Sequence, residues 1–102
     1  MRVRFGDFVF DSGRRELRAG SGIAHLTPKA FLLLQALIEA RPQAVSKEYL
    51  YGHLWPGTFV SDSNLNTIVS VLRIVLGEDA RHPRWIKTVY GFGYAFNAEG
   101  VV

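Results

Sequence analysis

The hydrophobic period of this chain changes near Leu26-Thr27-Pro28, and that change limits the folds open to it. Before it, residues 3–26 hold short runs such as VRFGDFVF and ELRAG, separated by DSGR and GSG. Phe8 and Phe10 alternate with Val9 and Asp11, the period of a strand, and the breaks at Ser12-Gly13 and Gly20-Ser21-Gly22 read as turns. A small antiparallel meander is expected over about 3–26. Beyond it, Phe31, Leu34, Leu37 and Ile38 recur at helical spacing, with Thr27 as N-cap and Pro28 at the first helical position.

That first helix, about 28–40, ends at Arg41-Pro42. Ser46 caps a second over about 47–54, carrying Tyr49, Leu50 and Leu54; Gly52 weakens it and Pro56-Gly57 ends it. A third, about 62–76, starts at Ser61 or Asp62 and stops at Gly77. On a helical wheel Leu65, Ile68, Val69, Leu72 and Leu76 share one face. Ser63, Asn66, Thr67, Ser70 and Ile74 take the opposite face, with Arg73 and Val71 toward its two sides. Last, Trp85, Ile86, Val89, Tyr90, Tyr94 and Phe96 are strand formers around a Gly91-Phe92-Gly93 turn, which predicts a terminal β-hairpin over about 85–97. The expected fold class is α+β, one domain over 1–102: an antiparallel β-meander, three helices and a β-hairpin wing, the winged helix-turn-helix plan.

Composition excludes several chemistries. The 102 residues contain no cysteine, so disulfides, thiolate metal sites and cysteine nucleophiles are ruled out. His25, His53 and His82 are scattered without a helical i, i+4 pair, and no metal site is expected; His53 reads as a helix-packing residue. There is no nucleophile elbow, P-loop or paired-carboxylate pattern, and GFGYAF lacks the third glycine of a dinucleotide fingerprint. No enzyme activity, cofactor or small-molecule substrate is expected. The basic N-terminus alternates apolar with polar residues, unlike a signal peptide, which makes a cytoplasmic domain the simplest expectation. The formal charge of +3 leans mildly toward anionic partners. Residues 1–25 hold five basic against three acidic groups, whereas 62–102 hold four of each, so the bias does not sit on the third helix.

LTPKAFLLLQAL, HLWPGTFVSD, LNTIVSVLRIVLG and IKTVYGFGYAF, in that order, resemble the DNA-binding domain of OmpR/PhoB-type transcription regulators over essentially the whole chain. WPGTFVSD, with the domain starting at Met1, looks more like the CadC-like branch, in which the domain is N-terminal and no phospho-receiver precedes it. The resemblance implies a cytoplasmic, two-component-like regulator domain whose partner is double-stranded DNA. The third helix would be the recognition helix in the major groove and the hairpin the wing. It also implies a loop at Pro56–Val60 that touches RNA polymerase, and a homodimer on repeated half-sites. Carried over by position, Trp55 would sit near a phosphate, and Ser63 and Asn64 at the helix N-terminus, where backbone N–H groups favour phosphate. Thr67, Ser70, Val71 and Arg73 would face the groove, and Thr88, Tyr90 and Tyr94 would serve the wing.

Many relatives carry Arg at the positions of Ser63, Ser70, Val71 and Tyr90, and Glu at that of Ala30. Those arginines would supply phosphate neutralisation and guanine contacts. Here Asn66 is left to meet an adenine edge, Thr67, Val71 or Ile74 a thymine methyl, and Arg73, Arg81, Arg84 and Lys87 to supply charge. Each has a plainer counterpart: solvated helix polars for Asn64 and Asn66, a surface salt bridge for Arg73, packing for Trp55. A competing function follows from the same losses. Val71, Ile74, Tyr90 and Phe92 would form an apolar patch on a degenerate winged helix used for homodimerisation or protein docking.

Overall fold

Alternation in the first strands sorts arginine from aromatic. In β1 (Arg2–Phe5), Arg2 and Arg4 are exposed while Val3 and Phe5 are buried. β2 (Phe8–Asp11), β3 (Glu16–Ala19) and β4 (Gly22–Ala24) follow in an antiparallel sheet of order β1-β2-β3-β4. The register aligns Val3, Phe10, Leu17 and Ala24 in one inward row. The computed structural model describes residues 1–99, so the end of the expected domain, at 100–102, lies outside the described residues.

The helices are α1 (Pro28–Ala40), α2 (Lys47–Leu54) and α3 (Asp62–Leu76). Thr27 Oγ1 accepts the Ala30 N–H, and Ser46 Oγ accepts the Tyr49 N–H, so both hydroxyls satisfy N-terminal donors that the helix itself leaves free. α1 is the central element: Ala30, Phe31, Leu33, Leu34, Ala36, Leu37 and Ile38 are all buried. It packs against α2, α3, the last strand of the chain and the short segment 44–46. Phe10 stacks on Phe31, with ring centroids 5.1 Å apart, and Phe5 meets Trp85 and Phe96 edge-on, so the N-terminal sheet closes one core with α1 and the hairpin. Each such ring contributes roughly 1.5–3 kcal/mol by leaving water. Among the described residues, no helix is long and apolar enough to cross a membrane.

Two features depart from the expected layout. VRFGDFVF is itself a hairpin, turning at Gly6-Asp7 with Gly6 at φ 56°, where a side chain is disfavoured. The C-terminal hairpin, β6 (Ile86–Val89) and β7 (Gly93–Phe96), gains a third strand, β5 (Ala44–Ser46), on the other edge of β7. Val45 pairs with Tyr94, and a Cβ on Gly93 would lie 1.9 Å from the Val45 carbonyl oxygen. Glycine is therefore demanded there by close approach of two backbones. His53 is also placed differently from expectation: it is exposed and stacks on Tyr49 at 5.5 Å. It lies on the solvent side of α2, whose inward side chains are Leu50 and Leu54.

Candidate nucleic-acid interface

α3 begins with a polar cluster that holds its own end together. Asn64 Oδ1 accepts the Ser61 backbone N–H at 3.1 Å and the Ser61 hydroxyl at 3.1 Å. The Ser61 and Ser63 hydroxyls lie 2.7 Å apart. Asn64 thus closes the helix start in the manner of a capping-box residue. Asp62, in the first turn, pairs with Lys47 Nζ at 3.7 Å and accepts a hydrogen bond from the Tyr51 hydroxyl. Lys47 and Tyr51, absent from the residues expected from sequence, thereby counter the negative charge at this end of the helix.

Outward along α3, Ser63, Asn66, Thr67, Ser70 and Ile74 are all exposed, as the wheel indicates, and Val71 is half-buried. Leu65, Val69, Leu72 and Leu76 are buried on the far side. The Thr67 hydroxyl donates to the Ser63 carbonyl at 2.8 Å, a bond within the helix. Asn66 Oδ1 accepts from the Tyr94 hydroxyl at 2.9 Å, which leaves its amide N–H groups for solvent or a ligand.

Arg73 corrects the expectation that it faces the groove. It is 7% exposed. Its Nη2 donates to the Ile86 carbonyl at 2.8 Å and to Thr88 Oγ1 at 3.0 Å, and its Nε lies 3.8 Å from Glu78 Oε2. Glu78 also accepts the backbone N–H groups of Trp85 at 2.7 Å, Ile86 at 3.1 Å and Arg84 at 3.3 Å. Gly77, at φ 75°, turns the chain so that Glu78 comes back beside Arg73, and the Glu78 N–H bonds the Arg73 carbonyl. A buried cation requires such a partner, because desolvation without pairing is costly. The result is a clasp between the end of α3 and the first strand of the hairpin. Thr88 is half-buried and belongs to it.

Tyr94 is likewise withdrawn from the wing surface: it is 5% exposed and lies behind Asn66. The signal was in the sequence, since Tyr94 and Phe96 are two apart on one strand and so share a face. Tyr90, at the hairpin tip, is 91% exposed, and its neighbour Phe92 is exposed too. Trp55 is half-buried against the core, with Lys29 Nζ 5.5 Å from its ring centre and donating to the Leu54 carbonyl. In the segment entering β6, Asp79 accepts the His82 and Arg81 backbone N–H groups, and these hold its carboxyl below the usual range. The arrangement joins a small, uncharged helix face to an exposed aromatic tip; Lys47 lies at the start of α3, Arg84 stacks on Trp85 at the base of the hairpin, and Arg81 and Lys87 are exposed before and within β6. Among the described residues no group of three or more potential ligands is placed to hold a metal ion.

Residues 21–96 match the family model described as "Transcriptional regulatory protein, C terminal". Among curated proteins, the chain is similar to the transcriptional regulator HilA of Salmonella typhimurium, at 36% identity over 98 residues, covering 96% of this chain. It spans only 17% of the length of that protein. Among solved structures it is similar to the RstA DNA-binding domain of Klebsiella pneumoniae, determined in complex with the RstA box. That match has a TM-score of 0.82 and 28% identity, over 93% of this chain and 95% of the other. The DNA-binding domain of E. coli CadC shares the fold, with a TM-score of 0.80 at 22% identity, over 99% of this chain and 94% of that one.

Proposed function

The chain belongs to the transcriptional regulatory protein C-terminal family, and we propose that it binds double-stranded DNA sequence-specifically as part of a bacterial-type transcription regulator. In this reading α3 enters the major groove and the β6–β7 hairpin is the wing. The observation that carries it is the outward face of α3: Ser63, Asn66, Thr67 and Ser70 are exposed, next to a hairpin tip led by Tyr90. Hydroxyls and an amide in a row suit base edges and phosphates. The similarity to the RstA domain, solved with the RstA box, supports the same reading.

Within it, Ser63, Asn64 and Trp55 flank the backbone, Asn66, Thr67, Ser70 and Val71 meet the groove, and Tyr90 leads the wing. Arg73, Thr88 and Tyr94 act from behind the surface. The 56–60 loop, with its fully exposed Phe59, is the face for RNA polymerase, and two copies on repeated half-sites raise affinity through avidity. The domain works in the cytoplasm. A fluorescence titration against the chain's own upstream DNA and a shuffled duplex, at two salt concentrations, tests this reading. Tighter binding to the upstream duplex is expected; equal binding to both at low salt overturns it.

A second reading is favoured by the exposed side chains of Ile74, Tyr90 and Phe92: a protein-docking or dimerisation module without DNA activity. Sedimentation velocity over a concentration series distinguishes it. A mass that rises with concentration, together with no shift on any duplex, would select the second reading.

A further inference from the structure

Ile74 is 76% exposed, the large aliphatic side chain on the outward face of α3. It shares one stripe of α3 with Ser63, Thr67 and Ser70, spaced as i, i+4, i+7 and i+11. What that stripe offers a ligand is narrowed by its own hydrogen bonds. The Thr67 O–H is donated to the Ser63 carbonyl, so the side chain keeps an acceptor oxygen and a methyl to present. Val71, half-buried beside the stripe, adds further methyls. Asn66 has its oxygen engaged by Tyr94 and keeps its N–H donors. The one cation of the helix, Arg73, is held by Ile86, Thr88 and Glu78 behind the surface.

In the major groove guanine presents two acceptors, most often met by an Arg or Lys fork, and this face has none. Thymine presents a C5-methyl beside the O4 acceptor. A methyl-rich stripe flanked by an amide donor matches that pair of features. We propose that α3 selects thymine-rich half-sites by packing Ile74, with the Thr67 and Val71 methyls beside it, on thymine C5-methyl groups. This rests on the reading of α3 as the helix that enters the major groove. It makes Ile74 a specificity-determining residue.

The test starts from a pool of duplexes with a randomised central segment, enriched by binding to the protein. Thymines in the enriched duplex are then replaced by deoxyuridine, which removes only the methyl, and both duplexes are titrated against the native protein and Ile74→Ala. Because Ile74 is exposed, the variant keeps its fold, checked by its thermal transition. The expected result is a thymine-rich site, a loss of about fourfold for each contacted methyl removed, and an Ile74→Ala protein that no longer distinguishes the two duplexes. No enrichment of any sequence overturns the DNA reading and this inference with it. Enrichment of a site whose deoxyuridine form binds equally well overturns the thymine inference alone, as does a deoxyuridine loss that persists undiminished in Ile74→Ala.

Discussion

Arg73 and Glu78 illustrate what a single charged residue on a helix can conceal. Glu78 serves three backbone N–H groups and one guanidinium, with only 3% of its side chain exposed. Glu78→Ala strands those donors and leaves Arg73 unpaired, so it is expected to destabilise the fold by about 3 kcal/mol, measured as a lower urea midpoint. Arg73→Met is expected to cost a similar amount, and the double variant less than the sum of the two, because they remove one interaction. Additive losses would show that the two side chains act independently. The direction of Arg73 was not legible from the wheel, which puts it beside the outward face. Charged side chains are seldom buried unless paired, and its partner comes from beyond Gly77, after the helical pattern has ended. Asn66 and Thr67 were legible as outward residues, but their internal bonds to Tyr94 and Ser63 depend on distances that only the folded chain provides.

The elements were readable where they carry punctuation. Thr27, Ser46, Ser61 and Gly77 all stand at helix ends, because a free N–H or a left-handed residue imposes a chemical choice that leaves a mark in the sequence. β5 carries no such mark. It is the three residues Ala44–Ser46 between two helices, and its partner Gly93–Ala95 is remote in sequence, so only the tertiary fold makes it a strand. The Gly6-Asp7 turn did carry a signal, a turn dipeptide between alternating apolar residues, that the breaks at Ser12-Gly13 and Gly20-Ser21-Gly22 overshadowed. Two glycine substitutions separate the roles. Gly93→Ala forces a Cβ against the Val45 backbone and is expected to weaken pairing of β5 with β7, seen as faster amide hydrogen exchange in Val45 and Tyr94. Gly52 lies exposed inside α2 with open space around its Cα. Gly52→Ala is expected to stabilise the protein by roughly 0.5–1 kcal/mol, raising the urea midpoint; an unchanged midpoint would contradict this account.

Over the whole molecule, charge is distributed away from the outward face of α3. Arg2 and Arg4 lie exposed on β1, within the sheet that packs on the far end of the core, while Lys47 is paired with Asp62. Besides Lys47 and the buried Arg73, the cations on or beside α3, the hairpin and Trp55 are Lys29, Arg81, Arg84 and Lys87, so log affinity per domain is expected to fall with log salt at a slope no steeper than roughly −4. Ser70→Arg adds a cation to the outward face and is expected to tighten binding and steepen that slope by about 0.9; an unchanged slope in a salt titration would place Ser70 away from phosphate. The wing itself is anchored twice. Its base is clasped by Arg73 and Glu78, and the Phe92 carbonyl near its tip accepts the Lys47 N–H at 2.9 Å, where β5 runs into α2. A hairpin fastened at both ends is held against swinging. Were it to dock on a duplex as proposed, the adjustment would fall to the DNA, and steps that kink easily, pyrimidine followed by purine, would be favoured even where no side chain reaches. Part of the selectivity would then be mechanical, lodged in the compliance of the ligand rather than in any contact the protein makes.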